Sequence, residues 1–312
     1  MKGLELSRKF YFEYGKAAIE SEFSSVSDRI AVGLVGEGSE CFGFDDELSR
    51  DHDFEAGFCL WLTREDYEKF GFRLERLYSK LPREFEGVKR LTISPVGGSR
   101  HGVMVIDDFY QKFLGTPNAP RSFEQWLYLP HESLASATNG EVFCDPLGDF
   151  SAIRDTLLLG YPEDVRLKKL AAHTTMMAQS GLYNYSRCVK RGERGAAQLC
   201  IFEFVKHTIS SIYLLNNVYE PFYKWAYRKM GTLKILGGLC ESLIALTELG
   251  NSEIEAAAKL DSIEEICRLI IKELKDQGIS HAVSDELEIH ARSIQNKIKD
   301  LALRNMHIMD GI

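Results

Sequence analysis

Near residue 150 the hydrophobic periodicity of this 312-residue chain changes, and that change divides what it can fold into. Up to about residue 147, short apolar runs alternate with helical stretches. From about Ser151 onward, apolar residues recur at helical spacing alone. The expected class is α+β: a mixed sheet with helices over residues 1–147, followed by an all-α helical bundle over 148–312.

In the first part, Ile30 to Val35 reads as a buried strand that ends in Gly36-Glu37-Gly38-Ser39. Phe54 to Leu62 is a second strand, rich in aromatics. Thr63 to Asp66 has the form of a capping box and starts a helix that should end near Leu81, before Pro82. Val88–Ser94 and Gly102–Asp107, either side of Pro95-Val96-Gly97-Gly98-Ser99, predict a hairpin. Glu141–Cys144 is a last short strand.

The second part repeats apolar residues at helical spacing over Arg154–Leu159, Val165–Ser180, Ala196–Tyr213, Leu233–Leu249, Ile254–Gln277 and Asp285–Arg304. No internal repeat or Pro/Ser linker separates the parts, so a ligand cleft between them is the default expectation. The last sixty residues or so form two amphipathic helices that either cover the core or make a homodimer contact.

Composition narrows the partners. Hydrophobic residues make up 45% of the chain, and no run of eighteen apolar residues exists, which excludes wholesale disorder and a membrane span. The N-terminus is charged throughout and lacks the apolar core of a secretory signal, so a soluble, cytoplasmic protein is expected. A net charge of −8 argues against indiscriminate nucleic-acid binding. The seven cysteines are widely spaced with no C-x-x-C pair and read as reduced thiols.

The stretch that carries chemistry runs from Gly36 to Phe54. After a strand, Gly38 and Ser39 let backbone N–H groups and one hydroxyl approach a phosphate closely. Asp51 and Asp53, at i and i+2 where the next strand should begin, are expected to face one way, with His52 opposite. Two such carboxylates repel unless a hard cation such as Mg²⁺ joins them to phosphate oxygens. A phosphate cradle beside a metal clamp describes phosphoryl or nucleotidyl transfer.

A strand, Gly-Ser, eleven residues and Asp-x-Asp on the next strand resembles the defining motif of the DNA polymerase β-like nucleotidyltransferase superfamily. The helical half is similar to the kanamycin nucleotidyltransferase-like branch, in which a helical domain closes over the nucleotide. Three phrases, Gly140–Asp145, Gln179–Tyr185 and Tyr213–Trp225, resemble those of an uncharacterised bacterial family with this pair of domains. The resemblance implies a nucleotidyltransferase domain over 1–147 and a helical domain closing the cleft over 148–312. It implies that Gly38 and Ser39 hold the triphosphate and that Asp51 and Asp53 ligate Mg²⁺, with two ions expected. A third carboxylate from a later strand is implied as well, with Asp107 favoured and Asp108 and Asp145 as alternatives.

The implied reaction moves a nucleoside monophosphate from an NTP, with ATP expected, to a hydroxyl and releases pyrophosphate. The acceptor stays open between a small molecule such as an antibiotic, an RNA or tRNA end, and a protein. Asp45, Asp46 and Glu47 are either solvated loop charges or acceptor contacts. The alternative from another class is a nucleotide-binding regulatory or interaction protein without turnover.

Within the helical half, Glu203, Lys206 and His207 share one helical face. Glu203 is a candidate base and Lys206 a candidate phosphate contact, against the plainer reading of a surface ion pair. Tyr185 and Arg187, in a basic-aromatic cluster that continues through Lys190, Arg191 and Arg194, are candidates for base stacking and phosphate binding or for simple packing. Arg166 and His173 have the spacing used by helical ribonucleases of the HEPN type, a pattern that also arises by chance.

Overall fold

The computed structural model describes residues 1–51, 54–90 and 100–312, with the side chains of Arg50 and Asp51 outside the described set. The class is α+β, as the periodicity predicts. The chain forms two compact units, Met1–Pro120 with Glu132–Leu159, and Arg121–His131 with Gly160–Ile312. Among the described residues no helix is long and apolar enough to cross a membrane.

The first unit opens with a helix over residues 3–22 (α1), which passes through a π-turn at Tyr11–Gly15. Its strands are β1 (Ala31–Leu34), β2 (Cys59–Leu62), β3 (Glu84–Phe85), β4 (Val88–Lys89), β5 (Gly102–Val105) and β6 (Glu141–Cys144). Four of them make one sheet in the order β5-β2-β1-β6. β1 is antiparallel to β2 with Gly33 opposite Cys59, while β2 and β5 run parallel. Because β2 is covered on both faces, it reads as an unbroken apolar run rather than an alternating one. Leu60 and Leu62 point into a core with Phe10, Phe58 and Leu74. Trp61 faces the other way, stacked on Phe150 with ring centroids 3.9 Å apart and meeting Phe109 edge-on.

Thr63 caps the helix over residues 64–80 (α2) through its hydroxyl, which accepts from the Asp66 amide, and the helix stops before Leu81 as expected. Asp66 is buried and accepts from Arg29 Nε on both carboxylate oxygens at 2.9 Å.

Several strand expectations need correction. β2 starts at Cys59 rather than Phe54, since the Phe58 amide donates to the Tyr78 hydroxyl instead of a neighbouring strand. The backbone of Asp51 lies in a short 3₁₀ turn, Leu48–Asp51, not at a strand start. The predicted hairpin's turn, Pro95–Ser99, and residues 91–94 of its first arm lie outside the described residues. β4 pairs with β3 across a tight turn at Glu86-Gly87, whose φ angles are +49° and +75°, and β5 pairs in parallel with β2. β5 ends at Val105, so Asp107 sits in the first turn of α3 (Ile106–Leu114) instead of on the strand. The unit also holds the helix His131–Thr138, whose last seven residues belong to it, and α4 (Asp149–Leu158).

The second unit is helical. Its axis is α5, residues 163–190, which widens into a π-segment over Ala178–Tyr185. Gly181 permits that segment to lie close to α6 (Arg194–Leu215), since a Cβ there would stand 2.4 Å from the Phe204 ring. α7 (Glu253–Asp276) is held at its start by a Ser252/Glu255 capping box. The last expected helix is broken in two: α8 (Leu287–Lys297) ends because the Asp164 carboxylate takes the amides of Lys299 and Asp300, and Asp300 then caps Leu301–Asn305.

Candidate functional site

At the end of β1 the chain turns at Gly36, whose φ of +139° favours glycine. Asn139 clamps this turn: its Oδ1 accepts from the Gly36 amide at 2.9 Å and its Nδ2 donates to the Gly36 carbonyl at 2.6 Å. Next door, the Gly140 amide donates to the Cys41 carbonyl at 2.8 Å. Gly140 itself has φ +61°, and a Cβ there would fall 1.9 Å from the Leu34 carbonyl oxygen. The turn after β1 and the turn before β6 are thus bonded into one rigid piece.

That glycine turn forms one wall of a cavity of about 350 Å³, in the size range of small-ligand pockets. Every lining residue among the described ones belongs to the first unit. Gly36 and Gly38 contribute backbone; Arg64, Arg100 and Lys112 bring cations, and Glu37, Glu40 and Asp108 bring carboxylates. Lys112 Nζ bonds Glu37 at 2.7 Å, and Arg64 pairs with Asp108 and, at 3.9 Å, with Asp107. These pairs are half exposed on both sides, so each contributes little and is readily exchanged for another anion.

His101, buried at the start of β5, also lines the cavity, and its Nδ1 lies 2.6 Å from Glu55 Oε1. Gly57 makes room for the ring: a Cβ there would be 2.9 Å from His101 Cγ. Burial pushes the thiols of Cys41 and Cys59 up, the latter to about 12, so both are protonated at neutral pH and neither is a nucleophile. All seven cysteines are free.

The sequence-derived residues divide between the two units. Gly38 lines the cavity; Ser39 opens the 3₁₀ turn behind it, its Oγ 3.5 Å from Glu40 Oε2. Asp53 and the Asp51 side chain lie outside the described residues. Asp107 is half exposed beside Arg64, whereas Asp108 reaches the cavity lining. Asp145 is taken up locally, accepting from the amides of Gly148 and Ser151 at the start of α4. Asp45 is neither a solvated charge nor a cavity residue; it is buried and accepts from the Gly3 amide at 2.8 Å, which anchors α1. Among the described residues, no three His, Cys, Asp or Glu side chains come together as a metal site.

In the second unit Glu203 Oε2 faces His207 Nε2 at 3.2 Å, and His207 Nδ1 faces His173 Nδ1 at 2.8 Å. A proton on His207 Nε2 leaves its Nδ1 to accept from His173 Nδ1–H, so both rings are neutral. Burial holds the pKa of both down, His207 to about 4. Next to His173 lies His131, half-buried, whose pKa desolvation pushes down to about 3. Lys206 is exposed.

Tyr185 is corrected from a stacking candidate to a core residue: its ring is fully buried and its hydroxyl donates to Asn251 Oδ1 at 3.0 Å. Arg187 lies over the exposed ring of Tyr183, 3.7 Å from its centroid. Arg166 bonds Glu163 and the Leu214 carbonyl while His173 is interior, so that Arg–His spacing is used for packing.

Sequence reasoning missed Glu55, His101 and Asn139. The available signals were a carboxylate two residues past Asp53, a histidine opening the strand parallel to β2, and an Asn-Gly before β6. None is readable as a site until β5 is known to lie beside β2.

Residues 126–226, about a third of the chain, match a family model described as "Domain of unknown function (DUF4037)". The phrases Gly140–Asp145, Gln179–Tyr185 and Tyr213–Trp225 all fall inside that stretch. No curated protein and no solved structure matches the chain.

Proposed function

We propose that the chain is a Mg²⁺-dependent nucleotidyltransferase that moves a nucleoside monophosphate from an NTP to a hydroxyl and releases pyrophosphate. One observation carries the reading: the glycine turn after β1, pinned by Asn139, opens on a cavity with Arg64, Arg100 and Lys112 in its walls. Backbone amides of a rigid glycine turn cradle phosphate, here those following Gly36, whose own amide Asn139 takes, and guanidinium groups bind it bidentately. The antiparallel register of β1 and β2 adds support, since it brings the end of β1 beside the start of β2, at one end of the two central strands.

Each group then has a task. The Glu37–Gly38 backbone positions the triphosphate, and Arg64, Arg100 and Lys112 neutralise the charge that grows on the leaving pyrophosphate. Arg64 and Lys112 exchange half-exposed carboxylate partners for phosphate at small cost. Asp51 and Asp53 are the proposed Mg²⁺ ligands, on the spacing of Gly38-Ser39 and Asp-x-Asp in the sequence. When bound, the metal would act as a Lewis acid on the phosphoryl oxygens. ATP is the first donor to try, and Asp108 replaces Asp107 as the favoured third carboxylate because it lines the cavity.

The test is pyrophosphate release from each NTP with Mg²⁺ across a panel of hydroxyl acceptors. Asp51→Asn and Asp53→Asn are expected to abolish release while leaving the unfolding midpoint near that of the wild type. Full release in either variant contradicts the mechanism. Tight NTP binding with no release across the panel supports the regulatory, non-catalytic alternative.

A further inference from the structure

In the first unit the cavity beside the glycine turn contains a buried imidazole already oriented by a carboxylate. We propose that His101, held by Glu55, is the base that deprotonates the acceptor hydroxyl in this cavity; the inference rests on the nucleotidyl-transfer reading. His101 and Glu55 come from different segments, one opening β5 and the other preceding β2, and they meet only because those strands pair in parallel. Nδ1 is 2.6 Å from Glu55 Oε1, and both side chains are largely shielded from solvent, at 4% and 12% exposure. A Nδ1–H donated to the carboxylate puts the ring's lone pair on Nε2, the tautomer required of a base. The carboxylate then stabilises the imidazolium that forms, as an orienting acid does in a nucleophile–base–acid triad. Gly57 fits this assignment, since any larger residue would displace the ring.

The step balances as follows. The acceptor oxygen forms a bond to the α-phosphorus as its proton passes to His101 Nε2. The bond from the α-phosphorus to the bridging oxygen breaks, and pyrophosphate departs with that electron pair. The imidazolium afterwards returns its proton to solvent. His101 is the catalytic residue, while Glu55 is a positioning residue that acts through it.

Water as the acceptor gives a test that needs no knowledge of the natural one: the full chain is incubated with each NTP and Mg²⁺, and pyrophosphate is measured. His101→Ala should slow release about a hundredfold or more, with NTP binding unchanged by thermal shift. Added imidazole should restore part of the rate, which a merely structural role would not allow. Glu55→Gln should lower kcat more than about tenfold at unchanged KM. His101→Gln, closer in shape and polarity, repeats the test if the alanine variant does not fold. Wild-type release rates in the His101 variants overturn the proposal and leave the transfer reading intact, as does lost release that imidazole cannot restore and that accompanies lost NTP binding. Absence of release from the wild type with every NTP overturns the transfer reading and this proposal with it.

Discussion

Asn139 holds both polar groups of the Gly36 backbone, accepting from its amide at 2.9 Å and donating to its carbonyl at 2.6 Å. The two residues are 103 apart in sequence, yet this pair sets the shape of the glycine turn on which the proposed site depends. Asn139→Ala leaves a part-buried amide and carbonyl unpaired, at a cost of about 1–3 kcal/mol. The expected outcome is a lower unfolding midpoint together with weaker NTP binding. Asn139→Asp keeps the acceptor but not the donor and should fall between the two.

Gly140→Ala should be among the most damaging single substitutions in the first unit. Its φ is +61°, and the added methyl would sit 1.9 Å from the Leu34 carbonyl oxygen, a backbone atom that cannot rotate away. Strain of that kind costs more than about 1–3 kcal/mol once the clash is added to the dihedral penalty. Denaturant unfolding checks it, with a shifted midpoint and an unchanged slope expected.

Acid should destabilise the second unit before it affects any surface pair. Burial lowers the pKa of His131 to about 3, from an ordinary value of 6.5. His173 and His207 are lowered too, first by burial and then by the neighbouring charges of His131 and Lys206 respectively. A depressed histidine is neutral in the fold and protonates on unfolding. Its contribution is therefore complete above about pH 6.5 and is lost as pH falls towards the folded value. Each pH unit in that window removes about 1.4 kcal/mol per buried imidazole. Unfolding midpoints should drop steeply between pH 6.5 and 4, and His131→Asn should flatten the slope by about one proton.

Asp66 serves α2 in two ways, offering its amide to the Thr63 cap and its carboxylate to Arg29. Asp66→Ala leaves Arg29 unpaired, but that side chain is 38% exposed and regains water. The expected loss therefore lies towards the lower end of the range for broken buried pairs, about 3 kcal/mol. Arg29→Met, which removes the other partner and strands a buried carboxylate, should cost more. Urea midpoints for the two variants compare them directly.

Much of this architecture was legible from local signals. The apolar run around Val32 is β1, the Thr63 cap starts α2, and the helical spacing of residues 196–213 and 254–277 reproduces α6 and α7 within a turn. Errors arose where one tertiary contact overrides a local pattern. The Tyr78 hydroxyl takes the Phe58 amide and shortens β2, and Asp164 takes two amides and breaks the last helix. Gly38 was readable as part of a site because glycine after a strand has a local meaning, and it lines the cavity. The pairing of His101 with Glu55 was not, because it depends on a parallel strand neighbour rather than on spacing along the chain. Tyr185 was ambiguous for the opposite reason: an aromatic beside basic residues reads alike whether it faces solvent or the core.

The central claim is that the cavity at the glycine turn takes a nucleoside triphosphate with Mg²⁺. Thermal unfolding of the wild type and of Asp53→Asn, with each NTP in the presence and absence of Mg²⁺, tests it most directly. A ligand at about 100 times its dissociation constant adds about 2.7 kcal/mol, which should raise the midpoint by several degrees. The account predicts a Mg²⁺-dependent rise for at least one NTP that disappears in Asp53→Asn. No rise with any NTP, or an equal rise in the variant, would contradict it.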